Sequence, residues 1–363
     1  MAGRPPDEAV RGFGFREHGG TDRLEFVEIP VPVAGPGEIQ VRVAAAAFNR
    51  LDRFVLAGIP GVPIALPHVL GSDAAGWVSA LGEGVTGPPV GSRVLVNPGL
   101  SDGTCDACRA GQENACRRFQ ILGEHVQGSM TESIVVPARN VYAIPDSMEF
   151  TDAAAAPLVF QTVWRALRTV GELRTGESVA VIGAGGGVAT TALQVAKLLG
   201  ARVAVVSRSP KKLERARALG ADATLLIDEA NPVDKLLWAW SGKQGVDVVF
   251  DSVGAPTIER SLRAIARGGR VVVIGATGGA NVELDLRTLF WRQASIRGST
   301  MSTRAEFEEM LVPLRRGELR ATVDSVFDLS EAPAAFDRLV SPDLFGKVVV
   351  RMPPAPAPER SET

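Results

Sequence analysis

Residues 179–206, VAVIGAGGGVATTALQVAKLLGARVAVV, constrain the fold more than any other part of the chain. A short apolar run at 179–182 leads into a turn made almost wholly of glycine. A helical pattern follows, and a second apolar run lies at 203–206. Gly200 lies where a left-handed residue commonly ends a helix. This order of strand, turn, helix and strand indicates a βαβ unit, and therefore a parallel sheet covered by helices.

The glycine-rich turn has the properties expected of a dinucleotide-binding site. A tight turn, a close approach of backbone to a pyrophosphate and close helix packing each favour residues with little or no side chain. The helix N-terminus adds free N–H groups and the positive end of a dipole. The frame is A-x-G-x-x-A instead of three glycines, and a turn that binds nothing is the alternative. The candidate cofactor-binding residues of the turn are Gly183, Ala184, Gly185, Gly186, Gly187 and Val188.

Length and charge limit the class of protein. A chain of 363 residues favours two domains, and a formal net charge of −2 offers no basic surface for a nucleic acid. No apolar run reaches the length of a membrane span, and the N-terminus lacks the apolar core of a signal peptide. These features predict a cytoplasmic protein that acts on a small-molecule substrate, with neither nucleic acid nor membrane as a partner.

The two halves of the chain differ in pattern. Short strands separated by turns fill the first part, and residues 39–43 alternate as in a half-buried strand. After residue 157, helical and apolar segments alternate regularly. The runs VDVVF and RVVVI are continuously apolar, as strands of a parallel sheet covered on both faces must be.

Several stretches together resemble the medium-chain dehydrogenase/reductase superfamily. They are HGGTDRLEFVEIPVPVAGPGEIQVRVAAAAFNRLD, LPHVLGSDAAGWV, AAAAPLVFQTVWRAL, the glycine-rich unit and FGKVVV. The resemblance implies an α/β fold with a GroES-like β-rich catalytic domain and an inserted Rossmann domain, a doubly wound parallel sheet. The implied boundaries are 1–157 and 300–352 for the catalytic domain and 158–299 for the Rossmann domain. A Pro-rich, polar tail at 353–363 is predicted to be disordered.

The branch it is most similar to is the quinone oxidoreductase-like one, because the ligands of a catalytic zinc are replaced. The zinc alcohol dehydrogenases of the superfamily have Cys, then His-Glu, then Cys or Glu around that metal. Here Asn49 takes the first position, and Ser72 and Asp73 take the place of His-Glu. Amide and hydroxyl oxygens are poor zinc ligands beside thiolate and imidazole. We therefore expect no catalytic zinc, although His68 and His125 leave a rearranged site open.

Three cysteines lie in one short polar loop. The family's structural zinc lobe has four cysteines spaced C-x2-C-x2-C-x7-C, and this chain has Asp102, Cys105, Cys108 and Cys116 at that spacing. Because a carboxylate can complete a closed tetrahedral site, the loop predicts one structural zinc. A zinc-free loop with three free thiols is the alternative.

The end of the second Rossmann strand indicates which nicotinamide cofactor binds. NAD-binding units place an acidic residue there to hold the ribose 2′-hydroxyl. This chain has Ser207 and Arg208 instead, followed by Lys212, which can pair with a 2′-phosphate. The pattern favours NADPH over NADH. Solvated charges at the start of a helix are the alternative.

The resemblance also suggests which residues surround the reaction. It implies that Asn49 and Asp52 lie near the nicotinamide and that Thr162 contacts it. Asn49 would donate to a substrate oxygen, and Asp52 would fix a ribose hydroxyl or a water. A turn residue, a helix cap and a Thr bonded to its own helix are the structural alternatives. Asp251 and Gly275 follow strands and are further candidate cofactor contacts. His125, next to Glu124, is a candidate proton donor, and a loop histidine bonded to backbone is its alternative.

These features predict an NADPH-dependent oxidoreductase that reduces a quinone or an activated C=C bond, an enone or enal, without catalytic zinc. A zinc-type alcohol dehydrogenase or carbonyl reductase is the second interpretation, and a cofactor-binding protein without turnover is the third. The resemblance implies a homodimer or homotetramer. Its contact is expected at residues 270–279, on the edge of the Rossmann sheet.

Overall fold

The computed structural model describes residues 9–354 and residue 358, and these form two compact units. One unit contains the described residues up to Leu158 and those from Val323 onward, and the other is Val159–Thr322. Most of the tail predicted to be disordered lies outside the described residues. No helix in the described part is long and apolar enough to cross a membrane.

The strands are β1 (Ala9–Phe15), β2 (Leu24–Pro30), β3 (Glu38–Phe48), β4 (His68–Val69), β5 (Asp73–Leu81), β6 (Arg93–Val96), β7 (Gly99–Leu100), β8 (Gln120–Ile121), β9 (Ser133–Pro137), β10 (Val141–Ala143), β11 (Ser178–Ile182), β12 (Arg202–Ser207), β13 (Ala223–Leu226), β14 (Val246–Asp251), β15 (Ile265–Val273), β16 (Ser295–Gly298), β17 (Val323–Asp328) and β18 (Lys347–Arg351). The helices are α1 (Arg50–Ala57), α2 (Asp106–Arg109), α3 (Phe150–Ala154), α4 (Pro157–Trp164), α5 (Gly187–Leu198), α6 (Pro210–Ala218), α7 (Val233–Trp240), α8 (Ala255–Ala264), α9 (Leu286–Arg292), α10 (Arg304–Arg315) and α11 (Ala332–Val340). A π-helical segment, Arg165–Val170, continues α4.

The β-rich unit is built on a sheet in which neighbouring strands come from distant parts of the sequence. Its order is β10-β6-β5-β3-β18-β17, and β9 also pairs with β3. In β3 the side chains of Ile39, Val41 and Val43 are buried and their neighbours are less so, as the alternation predicted. The C-terminal strand β18 pairs antiparallel with β3, and Val348 lies opposite Phe48. The end of the chain therefore completes the domain that its beginning started, as the resemblance implied.

The second unit is a six-stranded parallel sheet of order β13-β12-β11-β14-β15-β16. The strand order reverses between β11 and β14, so the carboxyl ends of these two strands flank a switch point where such sheets bind ligands. Strand β11 is buried along its whole length, because helices cover both faces of the sheet. The expected Rossmann sheet and GroES-like unit are confirmed.

Two details differ from the sequence-based expectations. The Rossmann unit extends to Thr322 and does not end at residue 299. Helix α10 belongs to it because the Glu306 carboxylate accepts hydrogen bonds from Arg165 Nη1, at 2.8 Å, and from Thr169 Oγ1, at 2.5 Å. The contact expected at residues 270–279 is not on the sheet edge either. Strand β15 lies between β14 and β16, so the edge strand on this side of the sheet is β16.

Candidate active site and metal site

Three strand ends meet at one edge of the sheet in the β-rich unit and bring Asn49, Asp73 and Lys347 together. Asn49 follows β3, Asp73 opens β5 opposite Ala47, and Lys347 opens β18. The Lys347 ammonium donates to the Asn49 Oδ1 atom and, over 2.8 Å, to Asp73 Oδ2. The Asn49 Nδ2 group donates to the same carboxylate oxygen at 2.9 Å. All three side chains are almost fully buried.

The Asp73 carboxylate has further support on its other oxygen. The backbone N–H of Leu158, the second residue of α4, donates to Asp73 Oδ1 at 2.7 Å. A buried carboxylate is tolerated when it is paired and hydrogen-bonded, and here an ammonium supplies the opposite charge. Three strand ends and the start of one helix are thereby tied to one buried ion pair.

Asp52 occupies an adjacent, fully buried position on the first turn of α1. Its Oδ2 atom accepts the backbone N–H of Asn49 at 2.6 Å, and its Oδ1 atom accepts that of Gly71 at 2.7 Å. Burial raises the pKa of Asp52 to about 6, against the opposing effect of these two N–H donors and of Lys347. Asp52 thus caps the start of α1, as its structural alternative predicted. Its contact with a ribose hydroxyl or a water stays a prediction.

The loop that carries Glu124 and His125 is fastened to the segment before Asp73. Gly123 has φ of +78°, and a Cβ atom there would lie 2.2 Å from the carbonyl oxygen of Gly71, so only glycine fits. The Gly123 carbonyl in turn pairs with His68 Nε2 at 3.1 Å. Within the loop, the backbone N–H of Ile121 donates to His125 Nδ1 at 3.1 Å, and Glu124 lies 4.0 Å from the same nitrogen.

Burial raises the pKa of Glu124, although the adjacent His125 opposes the shift. Because Nδ1 of His125 accepts a backbone N–H, the neutral ring carries its proton on Nε2. His125 thus has the backbone contact of its structural alternative, and its role as proton donor stays a prediction. Ser72 is also fully buried, and its hydroxyl has no hydrogen-bond partner among the described residues.

Lys347 is the residue of this cluster that the sequence analysis missed. In FGKVVV it precedes three valines, and a lysine that opens a strand usually extends to solvent. The available signal was a cation at the start of a buried strand in a chain where Asp73 replaces a metal ligand. Only the pairing of β18 with β3 shows that the ammonium and the carboxylate meet.

In the Rossmann unit, the glycine-rich turn leaves space where a phosphate is expected. Gly183 has φ of +92°, and a Cβ atom on Gly183 or Gly186 would meet no atom within 4 Å. Gly186 caps α5 without a side-chain hydrogen bond, so the first N–H groups of the helix can donate to an anionic ligand. These residues fit the pyrophosphate of a dinucleotide.

The residues predicted to select the cofactor lie at and after the end of β12, the strand next to β11. Ser207 is buried and accepts the backbone N–H of Ser209 at 3.1 Å, which leaves its own hydroxyl hydrogen to donate. Arg208 is exposed, and Lys212 is on the first turn of α6, which Ser209 caps. Together they offer one hydroxyl and two cations, and no carboxylate, at this strand end.

Asp251, Gly275 and Thr162 are the remaining predicted cofactor contacts in this unit, and Asp251 has local partners. The Asp251 carboxylate accepts the N–H groups of Val253 and Gly254, at 2.7 and 2.9 Å, and the Thr257 hydroxyl at 2.6 Å. It therefore shapes the turn after β14. Gly275 follows β15 beside that turn, and Thr162 is buried in α4. Their contacts with a cofactor stay predictions.

The cysteine loop forms a compact set of metal-binding groups in the β-rich unit. Ligand atoms of Asp102, Cys105, Cys108 and Cys116 all lie within 4.8 Å of one another. The backbone N–H groups of Cys105 and Thr104 donate to Asp102 and hold the pKa of that carboxyl well below its usual range. Two further N–H groups, of Asp102 and Arg118, point at the Cys116 sulfur. An anionic carboxylate among three sulfurs fits a tetrahedral zinc ion.

Comparison with known proteins matches both units. A family model described as "Alcohol dehydrogenase GroES-like domain" matches residues 35–146, and one described as "Zinc-binding dehydrogenase" matches residues 187–315. Acryloyl-coenzyme A reductase of Metallosphaera sedula is 33% identical over 90% of this chain and 96% of its own length. Human quinone oxidoreductase is 26% identical over 92% of this chain and 93% of its own.

Solved structures agree with this match. The structure of an NAD-dependent alcohol dehydrogenase superposes with a TM-score of 0.88 at 41% identity, covering 94% of this chain and 99% of that one. A thermostable alcohol dehydrogenase from Pyrobaculum aerophilum, with cobalt and zinc bound, gives a TM-score of 0.83 at 36% identity, covering 95% of this chain and 100% of that one.

Proposed function

Because the chain belongs to the medium-chain dehydrogenase/reductase superfamily and is an NAD(P)H-dependent oxidoreductase, we propose that it reduces an activated C=C bond or a quinone with NADPH and without a catalytic zinc. The observation that carries the proposal is the buried cluster of Asn49, Asp73 and Lys347. In the zinc enzymes that the sequence resembles, the first two positions hold metal ligands.

The donor set of the cluster does not fit a catalytic zinc. The Lys347 ammonium lies 2.8 Å from Asp73 Oδ2 and already neutralises the carboxylate. An ammonium has no lone pair for a metal and repels a second cation, and an amide is a weak zinc ligand. Reduction of a conjugated acceptor needs a Lewis acid less than oxidation of an alcohol does, because the acceptor's own carbonyl spreads the developing charge.

Bound NADPH would supply the hydride, which adds to the β-carbon of an enone or enoyl thioester or to the ring of a quinone. The chain's own residues then stabilise the enolate or phenolate oxygen. Asn49 offers an N–H donor for it, and the Ser72 hydroxyl is a second polar group on the adjacent segment. The α-carbon takes a proton from water or from a side chain such as His125.

Two kinds of observation support the substrate class and the cofactor. Relatives of the chain are named acryloyl-coenzyme A reductase and quinone oxidoreductase, and both names describe reduction of a conjugated acceptor. Ser207, Arg208 and Lys212 supply a hydroxyl and two cations where NAD-specific units have an acidic residue. We therefore propose NADPH as the preferred reductant.

The decisive experiment measures NADPH oxidation by the purified protein against acryloyl and crotonyl thioesters, enones, quinones and aldehydes. Each reaction is run with and without a chelator, and primary alcohols are tested with NADP⁺ in the reverse direction. We expect turnover of conjugated acceptors that a brief chelator treatment leaves unchanged. Turnover limited to aldehydes and alcohols and lost with chelator would establish the zinc-type alcohol dehydrogenase instead. That alternative is favoured by the relatives named alcohol dehydrogenase.

A further inference from the structure

The hydrogen bonds of the Asn49 amide fix which of its two polar atoms is free. Its Oδ1 atom accepts from Lys347 and its Nδ2 group donates to Asp73. An ammonium only donates and an ionised carboxylate only accepts, so the reversed amide would place N–H against ammonium and oxygen against carboxylate. The orientation that an isolated asparagine leaves ambiguous is therefore determined here by two charges.

One N–H of Asn49 is left over by this arrangement. An amide nitrogen carries two hydrogens, and Asp73 takes one of them. The described residues offer no partner for the second. The Asn49 backbone is also held, because its N–H donates to Asp52 over 2.6 Å. A fixed side chain on a fixed backbone aims a single N–H in one direction.

We propose that Lys347 is a positioning residue for the reduction, and that it acts by locking the Asn49 amide so that an N–H, and not a carbonyl oxygen, faces the substrate oxygen. This inference rests on the proposed function. A preorganised donor stabilises a developing oxyanion without reorganising at the moment of reaction, whereas an amide free to flip would present its oxygen for part of the time and repel that charge.

The arrangement also explains why a buried lysine is kept at a position where an apolar residue would pack more simply. Replacing a buried ion pair by hydrophobic residues often leaves stability unchanged or raises it. An ammonium that served only to balance Asp73 would thus be expendable together with it. Lys347 donates one of its three N–H groups to Asn49 Oδ1, and charge balance alone does not require this contact.

The test compares Asn49→Ala, the charge-neutral pair Lys347→Met with Asp73→Asn, and the triple variant. The pair avoids leaving a lone buried charge, which would destabilise the fold. We expect Asn49→Ala to lower kcat about 100-fold, as loss of an oxyanion donor does, and the neutral pair to lower it about 10-fold. KM and the Kd of NADPH should stay within about twofold, because the lock acts on the charge that develops in the transition state.

Comparing the kcat losses of the three variants shows whether Lys347 acts through Asn49. If Lys347 acts through Asn49, the neutral pair causes no further loss of kcat in the Asn49→Ala background. The triple variant then has the same kcat as Asn49→Ala. Two results would overturn the proposal. One is an unchanged kcat in the neutral pair, and the other is an additive loss in the triple variant, which would indicate a general structural effect.

A second readout keeps the lock separate from the proposed reaction. With asparagine labelled selectively by ¹⁵N, the Asn49 side-chain amide is assigned by its loss in Asn49→Ala. In the wild type we expect two widely separated N–H signals that exchange slowly with water. In the neutral pair we expect two signals averaged over both amide orientations, which therefore lie close to those of a free asparagine. A wild type that reduces no conjugated acceptor but shows these signals would refute the proposed function alone. Averaged signals in the wild type would refute the lock.

Discussion

Asp52→Asn gives the sharpest test of the electrostatics around Asn49 and Lys347. Asp52 has no exposed surface, and its pKa is about 6 against an ordinary value of 3.8. Desolvation is the largest cause, since the charged form loses its hydration and gains only two backbone N–H donors and the field of Lys347. The substitution keeps the shape of the side chain and removes its titration.

The direction in which the free energy of unfolding changes with pH follows from which state binds the Asp52 proton more tightly. Between pH 4 and pH 6 the folded state holds the Asp52 proton more tightly than the unfolded state does, so the free energy of unfolding of the wild type falls as pH rises through this range. A difference of about two pKa units corresponds to about 3 kcal/mol at 1.36 kcal/mol per unit. The stability of Asp52→Asn relative to the wild type should therefore increase by about 3 kcal/mol between about pH 3 and pH 7.

Urea denaturation at half-unit intervals of pH measures this change directly. Other buried titrating groups, such as His68 and Glu124, are present in both proteins and cancel in the difference. Asp146→Asn is a matched control, because the Asp146 side chain is 87% exposed, and its curve should run parallel to that of the wild type. If the Asp52→Asn curve also runs parallel to the wild type, burial does not raise the pKa of Asp52 and the electrostatic account of the cluster fails.

Three further predictions concern the metal, the cofactor and the assembly. Cys116→Ser should lose the bound zinc, about one ion per chain by mass spectrometry, and lower Tm while NADPH binding persists; zinc-free wild type would contradict this. Ser207→Asp should shift the NADPH to NADH ratio of kcat/KM at least about tenfold toward NADH by repelling the 2′-phosphate, and an unchanged ratio would exclude Ser207 from the cofactor site. Phe290 and Trp291 are 60% and 70% exposed on α9, which packs on β15 and precedes the edge strand β16. They should pack against a second copy, so Trp291→Glu should give a monomer by light scattering. Val33→Glu, at an apolar residue 77% exposed in the other unit, should leave the mass unchanged.

The sequence predicted most of the fold because its signals are local. The continuously apolar strands and the glycine turn identify the parallel sheet, and they occur as β11, β14 and β15. The sequence placed the end of the Rossmann domain at residue 299, whereas the structure places it at Thr322. Helix α10 could belong to either unit by pattern, and the bonds of Glu306 to Arg165 and Thr169, more than 130 residues away, decide its place.

In the candidate site, too, local sequence signals predicted some features, and contacts seen only in the structure decided others. Local spacing predicted the metal-binding loop, since Asp102 and the three cysteines lie within 15 consecutive residues and the structure brings their ligand atoms together. The residues at the positions of the catalytic zinc ligands, Asn49, Ser72 and Asp73, also led to the expectation of no catalytic zinc, which stays a prediction. The expectation that Asp251 faces the cofactor did not include the three hydrogen bonds of its own turn, because a strand-end carboxylate has the same sequence pattern in either role.

The sequence by itself determined that the chain has a dinucleotide-type turn, a cysteine loop and polar residues in place of catalytic metal ligands. Only the tertiary structure decided what replaces the metal's charge. Lys347 meets Asn49 and Asp73 across separations of 298 and 274 residues, through the pairing of the last strand with the third. Register between distant strands depends on the whole packed sheet, so no local pattern could place that ammonium beside that amide.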